Sequence, residues 1–230
     1  MVLKIVKTVW PVMLTYVAIA APCGMIMAQT GMEPWMVFAL SSTFVTGSGQ
    51  FMICNLWLAG VPAASIVASV AAISSRFALY SASIAPHLAG ASKRQTLAVA
   101  ATLTEEAYGI SLAKLIEGED WGPRESFVLN AILIATWAVS CTTGAIVGAV
   151  VDVPTAIAGF VCTSLFICLL FSQRLSRGNV VAAGLAAVSV AICKFWGWTN
   201  IAVPASVLVG VVTALACDVL AEGRGARDAR

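Results

Sequence analysis

Residues 36–59 read MVFALSSTFVTGSGQFMICNLWLA, an apolar run with Gly47-Ser48-Gly49-Gln50 at its centre. A transmembrane helix takes about 20 apolar residues, and each apolar arm of this run is about half that long. Two glycines and two hydrogen-bonding side chains weaken a helix, and broken helices occur at membrane depth where they line a cavity or are covered by protein. The run therefore predicts a helix inside the membrane that breaks at Gly47–Gln50.

The predicted break is also a candidate binding site. The N-terminus of a half-helix carries exposed amides and a positive dipole end, which bind anionic groups such as a substrate carboxylate. We therefore assign Gly47, Ser48, Gly49 and Gln50 as candidate substrate-binding residues. The alternative is a kinked packing helix whose glycines permit the close approach of a neighbouring helix.

The composition of the whole chain fits this membrane interpretation. Of its 230 residues, 60% are hydrophobic and 10% are charged, and the formal net charge is +2. A soluble domain carries about 25% charged residues, so this chain cannot cover itself with a surface that water tolerates. Nucleic-acid binding is excluded as well, because it needs a basic stripe and none is present.

Apolar segments fall at about 5–28, 36–59, 62–84, 96–116, 127–150, 155–172, 180–194 and 203–221. Each segment far exceeds a barrel strand of about ten residues, so we expect an all-α, polytopic membrane bundle in one transmembrane domain over residues 1–230. Eight full spans would put the basic N-terminus on the side that the positive-inside rule disfavours. Seven spans with one re-entrant element at 36–59 remove that conflict. The sequence therefore predicts about seven or eight membrane segments without deciding between the two numbers.

A faint internal repeat accompanies these segments. Glu33-Pro34 opens segment 36–59, and Asp152-Val153-Pro154 opens segment 155–172. A two-fold repeat is typical of transporters, with the site between the halves. The predicted halves are residues 1–120 and 121–222.

The segment from Pro62 to His87 carries a polar face. Its residues recur at spacings of three, four or seven and so share one side of a helix that should face the bundle interior: Ser65, Ser69, Arg76, Tyr80, Ser83 and His87. A guanidinium deep in a membrane is costly unless it is paired, which makes Arg76 and Tyr80 candidate substrate-binding residues. The alternative is a structural ion pair that fixes helix register.

Thr104-Glu105-Glu106 lies within segment 96–116. Adjacent side chains on a helix point about 100° apart, so one glutamate can line a cavity while the other pairs with a cation such as Arg76. A carboxylate within the membrane is a candidate proton carrier, because desolvation favours its protonated form. Glu106 and Glu105 are therefore candidate proton-coupling residues, unless the segment sits where both acids meet water.

Motifs for other chemistries are missing from the sequence. There is no Ser-His-Asp constellation, H-E-x-x-H, P-loop or haem motif, so we expect neither an enzyme nor a bound cofactor. The seven cysteines are scattered without a C-x-x-C pair, and we expect no metal site. The residues leave three functions open: a secondary transporter, a non-transporting scaffold, and an ion or proton channel. Charges of both signs beside a broken helix favour the transporter.

The chain resembles the AzlC-like large subunit of branched-chain amino-acid exporters, also called the YgaZ or BrnF type. The resemblance covers essentially the whole chain and is carried by these stretches: Pro34-Trp35, Gly47-Ser48-x-Gln50-Phe51, Arg76 to Tyr80, Ala85-Pro86-His87-Leu88 and Thr104-x-Glu106. Members usually have Asn-Leu-Arg-His where this chain has Ser74-Ser75-Arg76-Phe77, and aspartate where it has Glu105.

The resemblance implies export of leucine, isoleucine and valine, with methionine as a further candidate, across a prokaryotic plasma (inner) membrane. It also implies a small membrane partner of the AzlD type, and it leaves open whether the subunits oligomerise. The Thr-x-Glu register of the family favours Glu106 over Glu105 as the proton-coupling residue.

Overall fold

A computed structural model describes residues 1–88, 90–118, 121–150 and 177–197, with short pieces at 160, 164, 167, 205–206, 208–210 and 212–213. No strand occurs among these residues, and nearly all of them are helical. The predicted all-α class is therefore confirmed for the described part of the chain.

Short connections join the first eight helices that the structure describes. A 3₁₀ turn at Ala85–Leu88 follows the fifth helix of the chain. Their bounds are α1 Val2–Gln29, α2 Pro34–Thr43, α3 Gly47–Leu58, α4 Ala63–Ser74, α5 Arg76–Ile84, α6 Lys93–Ala101, α7 Glu105–Glu117, α8 Pro123–Val150 and α9 Arg177–Phe195.

Within the part of the chain that the structure describes, three helical stretches are long and apolar enough to cross a membrane, namely Val2–Gln29, Ala63–Leu88 and Pro123–Val150. A shorter apolar helix covers Val180–Phe195. These findings, taken with the composition, describe a membrane protein. The predicted segments 155–172 and 203–221 lie largely outside the described residues, so the total of about seven or eight segments stays a prediction.

The chain divides into two compact units. The first comprises Met1–Asn55 and Ser74–Cys162, and it contains every candidate site residue. The second comprises Leu56–Ile73 and Thr163–Arg230. The predicted repeat halves are not tested by this division and stay a prediction.

The core of the first unit is the seam between the long helices α1 and α8. Small residues allow their backbones to touch: a Cβ atom on Gly24 would overlap the backbone of Cys141, and one on Gly144 would overlap the backbone of Ala21. In lipid, where helices gain little from the hydrophobic effect, such close van der Waals contact is the main source of association. The α1–α8 seam therefore provides the rigid support for the shorter helices.

The segment 36–59 is broken, as the sequence predicts, but the break lies just before the predicted position. Helix α2 ends at Thr43 and α3 begins at Gly47, so that Phe44–Thr46 is the non-helical connection. Gly47–Gln50 form the first turn of α3 instead of the break itself.

The expectation of a single helix over segment 96–116 is wrong, because the segment contains two helices. Helix α6 ends at Ala101 and α7 begins at Glu105, which leaves Thr102–Thr104 as a second break. The two glutamates therefore stand in the first turn of a half-helix, where the positive end of the helix dipole stabilises carboxylates.

The predicted polar face of segment 62–87 is also corrected in part. The helical run is interrupted at Ser75, and α5 passes into the 3₁₀ turn at Ala85–Leu88. Two residues of the predicted face, Ser83 and His87, are exposed, whereas Ile84 is buried in an apolar cluster with Leu88 and Val99.

Gly144→Ala tests the α1–α8 seam. The added methyl group has no room beside the backbone of Ala21, so we expect the free energy of unfolding to fall by about 1–3 kcal/mol or more. Thermal unfolding of the purified protein in detergent measures the change. Gly184→Ala is the matched control, because a Cβ atom there meets nothing within 4 Å. Equal effects of the two substitutions would contradict the role of the seam.

Candidate functional site

The first turn of α3 is built around a threonine cap. Thr46 Oγ1 accepts a hydrogen bond of 3.2 Å from the Gly49 amide and thereby satisfies one of the amides freed at the helix start. A Cβ atom on Gly49 would lie 2.8 Å from Thr46 Cγ2 and 2.9 Å from Phe44 Cε1. A Cβ atom on Gly47 would lie 2.7 Å from the Trp137 ring. Both glycines are therefore required by close packing at the break.

Gln50 closes the break between α2 and α3. Its side chain is fully buried; Nε2 donates a 2.6 Å hydrogen bond to the carbonyl of Phe44. Its Oε1 accepts hydrogen bonds from Trp137 Nε1 at 2.9 Å and from Ser41 Oγ at 3.4 Å. One amide therefore joins α2, α3 and α8, and a direct contact of Gln50 with substrate stays a prediction.

The start of α7 repeats this plan. Thr104 Oγ1 accepts a 3.1 Å hydrogen bond from the Ala107 amide, so threonine again caps a half-helix. Buried Asn130 on α8 donates from Nδ2 to the Val99 carbonyl at 3.1 Å and to Thr102 Oγ1 at 3.0 Å, which holds the preceding end of α6. Asn130 thus has the same task at the second break that Gln50 has at the first.

Arg76 connects the two half-helix starts. Its guanidinium binds Glu105 in two places, Nη2 to Oε2 at 2.8 Å and Nη1 to Oε1 at 3.1 Å. Nη2 also donates a 2.9 Å hydrogen bond to Ser48 Oγ in the first turn of α3. The predicted pairing of Arg76 with a glutamate of segment 96–116 is confirmed, and that glutamate is Glu105. The pair is partly accessible, with 29% of the arginine and 42% of the glutamate side chain exposed.

Glu106 points to a different partner. Its Oε2 accepts a 2.5 Å hydrogen bond from the Tyr16 hydroxyl on α1, and that hydroxyl also lies 3.3 Å from Thr104 Oγ1. Glu106 itself remains exposed in the chain. Sequence reasoning did not select Tyr16, because a single tyrosine inside an apolar helix carries no motif.

Aromatic rings adjoin the ion pair. The Arg76 guanidinium lies 5.5 Å from the centre of the Phe77 ring, and Phe77 meets Tyr80 edge to face at 5.8 Å. Tyr80 in turn stacks on Tyr108 with ring centres 4.6 Å apart. Tyr80 is therefore held in the first unit one turn from Arg76, although no described contact joins its hydroxyl to the ion pair.

The fold and the site define a helical membrane protein in which two broken segments meet across an arginine–glutamate pair. The chain belongs to the AzlC protein family, whose family model matches residues 11–151. That range includes every candidate site residue. The family is associated with branched-chain amino-acid transport. Comparisons with curated proteins and with solved structures gave no match.

Gln50→Leu tests the closure of the first break. The substitution leaves the Trp137 indole N–H buried without its Gln50 partner. It also removes one of two hydrogen bonds to the Phe44 carbonyl, which keeps the 3.0 Å bond from the Thr46 amide. We therefore expect the free energy of unfolding to fall by about 1–3 kcal/mol. Thermal unfolding in detergent measures this change. Met52→Leu, a volume-conserving change on the same helix, is the control and should cost less than about 1.5 kcal/mol. A Gln50→Leu protein as stable as the control would contradict the assignment.

A double-mutant cycle on Arg76→Gln and Glu105→Gln tests the ion pair. Each single change leaves one charge without its partner, so the double variant should be more stable than the sum of the single effects predicts, by about 1–3 kcal/mol. The Lys114–Glu117 pair, joined by one 3.1 Å contact between neighbouring turns of α7, is the control cycle and should give less than about 1 kcal/mol. Additive effects of the Arg76 and Glu105 changes would contradict a coupled pair.

Proposed function

We propose that this protein is a secondary transporter that exports branched-chain amino acids. The observation that supports the proposal is the union of two half-helix starts, α3 and α7, by the partly exposed Arg76–Glu105 pair. A free amino acid is a zwitterion, and its site must meet a carboxylate and an ammonium group together. Fixed charges of both signs beside broken helices supply this, whereas a structural ion pair needs neither a break nor exposure.

The substrate carboxylate binds on the Arg76 side of the site. The guanidinium and the Ser48 hydroxyl already lie together there, and the first N–H groups of α3 have no partner within the helix. Arg76 Nε is buried and, among the described residues, has no hydrogen-bond partner, so it is a further donor for an incoming carboxylate. The positive end of the α3 dipole at Gly47 favours an anion at the same place.

The substrate ammonium binds on the Glu105 side. When the substrate carboxylate takes its place on Arg76, Glu105 is released and receives the ammonium group. The zwitterion thus inserts into the existing ion pair, and each charge keeps an opposite partner throughout. This matters because an unpaired charge in a low-dielectric site costs several kcal/mol.

The apolar side chain of the substrate lies against the rings of Phe77 and Tyr80. Both rings are partly exposed beside Arg76, and neither presents a charge. Leucine, isoleucine and valine fit such a surface, and methionine is a further candidate. Gly49 and Gln50 contribute by fixing the backbone of the break on which Ser48 stands.

The coupling group is Glu106, with Glu105 as the second candidate. Glu106 stands in the first turn of α7, beside the glutamate that releases Arg76, and its side chain is exposed in the chain. A carboxylate at membrane depth avoids lipid, so an exposed one belongs beside a water-filled path that delivers protons. We place the protein in a prokaryotic plasma membrane with a small AzlD-like membrane subunit as its partner.

Counterflow in proteoliposomes tests the proposed function. Vesicles loaded with unlabelled leucine should accumulate labelled leucine, and isoleucine and valine should compete, whereas aspartate and lysine should not. The measurement is made with and without the small partner subunit. Arg76→Lys keeps the charge but loses the two-point geometry, so it should raise the KM for counterflow about tenfold or more. Absence of counterflow in both preparations would refute the transporter.

Glu106→Gln tests proton coupling. Glutamine keeps the shape and hydrogen bonding of the side chain but does not titrate. The variant should therefore lose export driven by a proton gradient while it retains exchange at equal concentrations. Glu117→Gln, an exposed acid at the other end of the same helix, is the control and should keep both activities. A Glu106→Gln protein that still concentrates substrate as well as the parent would exclude Glu106 as the coupling residue.

A further inference from the structure

Tyr16 on α1 is a buried polar residue whose hydroxyl reaches Glu106. We infer that Tyr16 is the positioning residue for Glu106: it holds the proton-carrying carboxylate at the start of α7 in the arrangement that couples proton movement to substrate. The inference rests on the proposed function of Glu106. It adds a residue that lies 90 positions from Glu106 in the chain and outside every candidate motif.

The geometry fixes the tyrosine hydroxyl tightly. Only 5% of Tyr16 is exposed, and its ring meets the Trp137 ring edge to face, with centres 5.2 Å apart at 80°. Trp137 is itself buried, and its indole N–H donates to Gln50 at 2.9 Å. The hydroxyl that contacts Glu106 is therefore placed by packing in the α1–α8 region and not by a flexible surface side chain.

Among the described residues, Tyr16 is the hydrogen-bond donor that Glu106 has from another helix. Arg76 is occupied by Glu105, and within the described ranges Glu106 has no comparable ion pair. A hydrogen bond to an ionised carboxylate is about twice as strong as one between neutral groups, and it weakens when the carboxylate takes up a proton. The strength of the Tyr16–Glu106 contact therefore changes with the protonation of Glu106.

The same contact reaches the first break. From Tyr16 the packed contacts continue to Trp137, which touches the position of Gly47 and donates to Gln50. The proton-carrying carboxylate and the start of α3 thus share one buried support. Removing the Tyr16 hydroxyl alone should preserve the packing of the ring against Trp137. The Glu106 carboxylate, however, should no longer be held in position.

The test compares Tyr16→Phe, Glu106→Gln and the double variant in proteoliposomes. Tyr16→Phe should reduce gradient-driven export about tenfold or more, because small displacements of a reacting group are costly, while counterflow stays within about twofold of the parent. In the double variant, Tyr16→Phe should not reduce gradient-driven export beyond the effect of Glu106→Gln alone. Tyr108→Phe is the matched control: its hydroxyl contacts Ser83 at 3.0 Å, and its loss should leave both activities at the parent level.

Thermal unfolding of the parent, the two single variants and the double variant provides a readout that does not depend on transport. The effects of Tyr16→Phe and Glu106→Gln on stability should be non-additive, since both act on one contact: the first removes the donor, and the second replaces the charged acceptor with a neutral one. A Tyr16→Phe protein that couples like the parent, or additive effects on stability, would overturn the inference. A parent protein without counterflow would instead refute the proposed function, so the two failures are distinguishable.

Discussion

A backbone amide or carbonyl that is freed at a helix break in an apolar bundle must find a polar partner. This requirement organises the first unit. At the α2–α3 break the Phe44 carbonyl accepts a hydrogen bond from Gln50 Nε2, and Gln50 Oε1 in turn accepts one from Trp137 Nε1 on α8. Trp137 packs against Tyr16, which reaches α7. The hydrogen bonds that satisfy the first break thus position Trp137 and Tyr16, and Tyr16 contacts the helix that begins at the second break.

The two breaks share a plan that neither shows alone. A threonine caps each half-helix, and a buried amide side chain, Gln50 or Asn130, secures the chain end that precedes it. Because both half-helix starts point positive dipole ends toward Arg76, acidic residues are needed nearby to offset the repulsion. Glu105 supplies this compensation by direct contact.

The sequence predicts the helical class, the first break and the Arg76–glutamate pairing, because each depends on local composition or on the cost of an unpaired charge. The sequence places the first break a few residues too late. Gly47 and Gly49 are needed for close packing inside α3, whereas the cap residue Thr46 determines where α3 begins. The second break has no glycine or proline to announce it; its signal is the capping residue Thr104 followed by two acids. Tyr16 could not be predicted, since its contact joins helices 90 residues apart.

The cancellation of charge between Arg76 and Glu105 has an electrical consequence. Moving one elementary charge through a membrane potential of 100 mV is worth about 2.3 kcal/mol. Under the proposed function, a neutral pair accepts a neutral zwitterion and stays neutral at every stage, so the membrane voltage would do no work on the loaded or the unloaded pair. In the proposed mechanism, voltage would then act on transport only through the proton, and the number of protons moved would set the energy available for concentrating an amino acid.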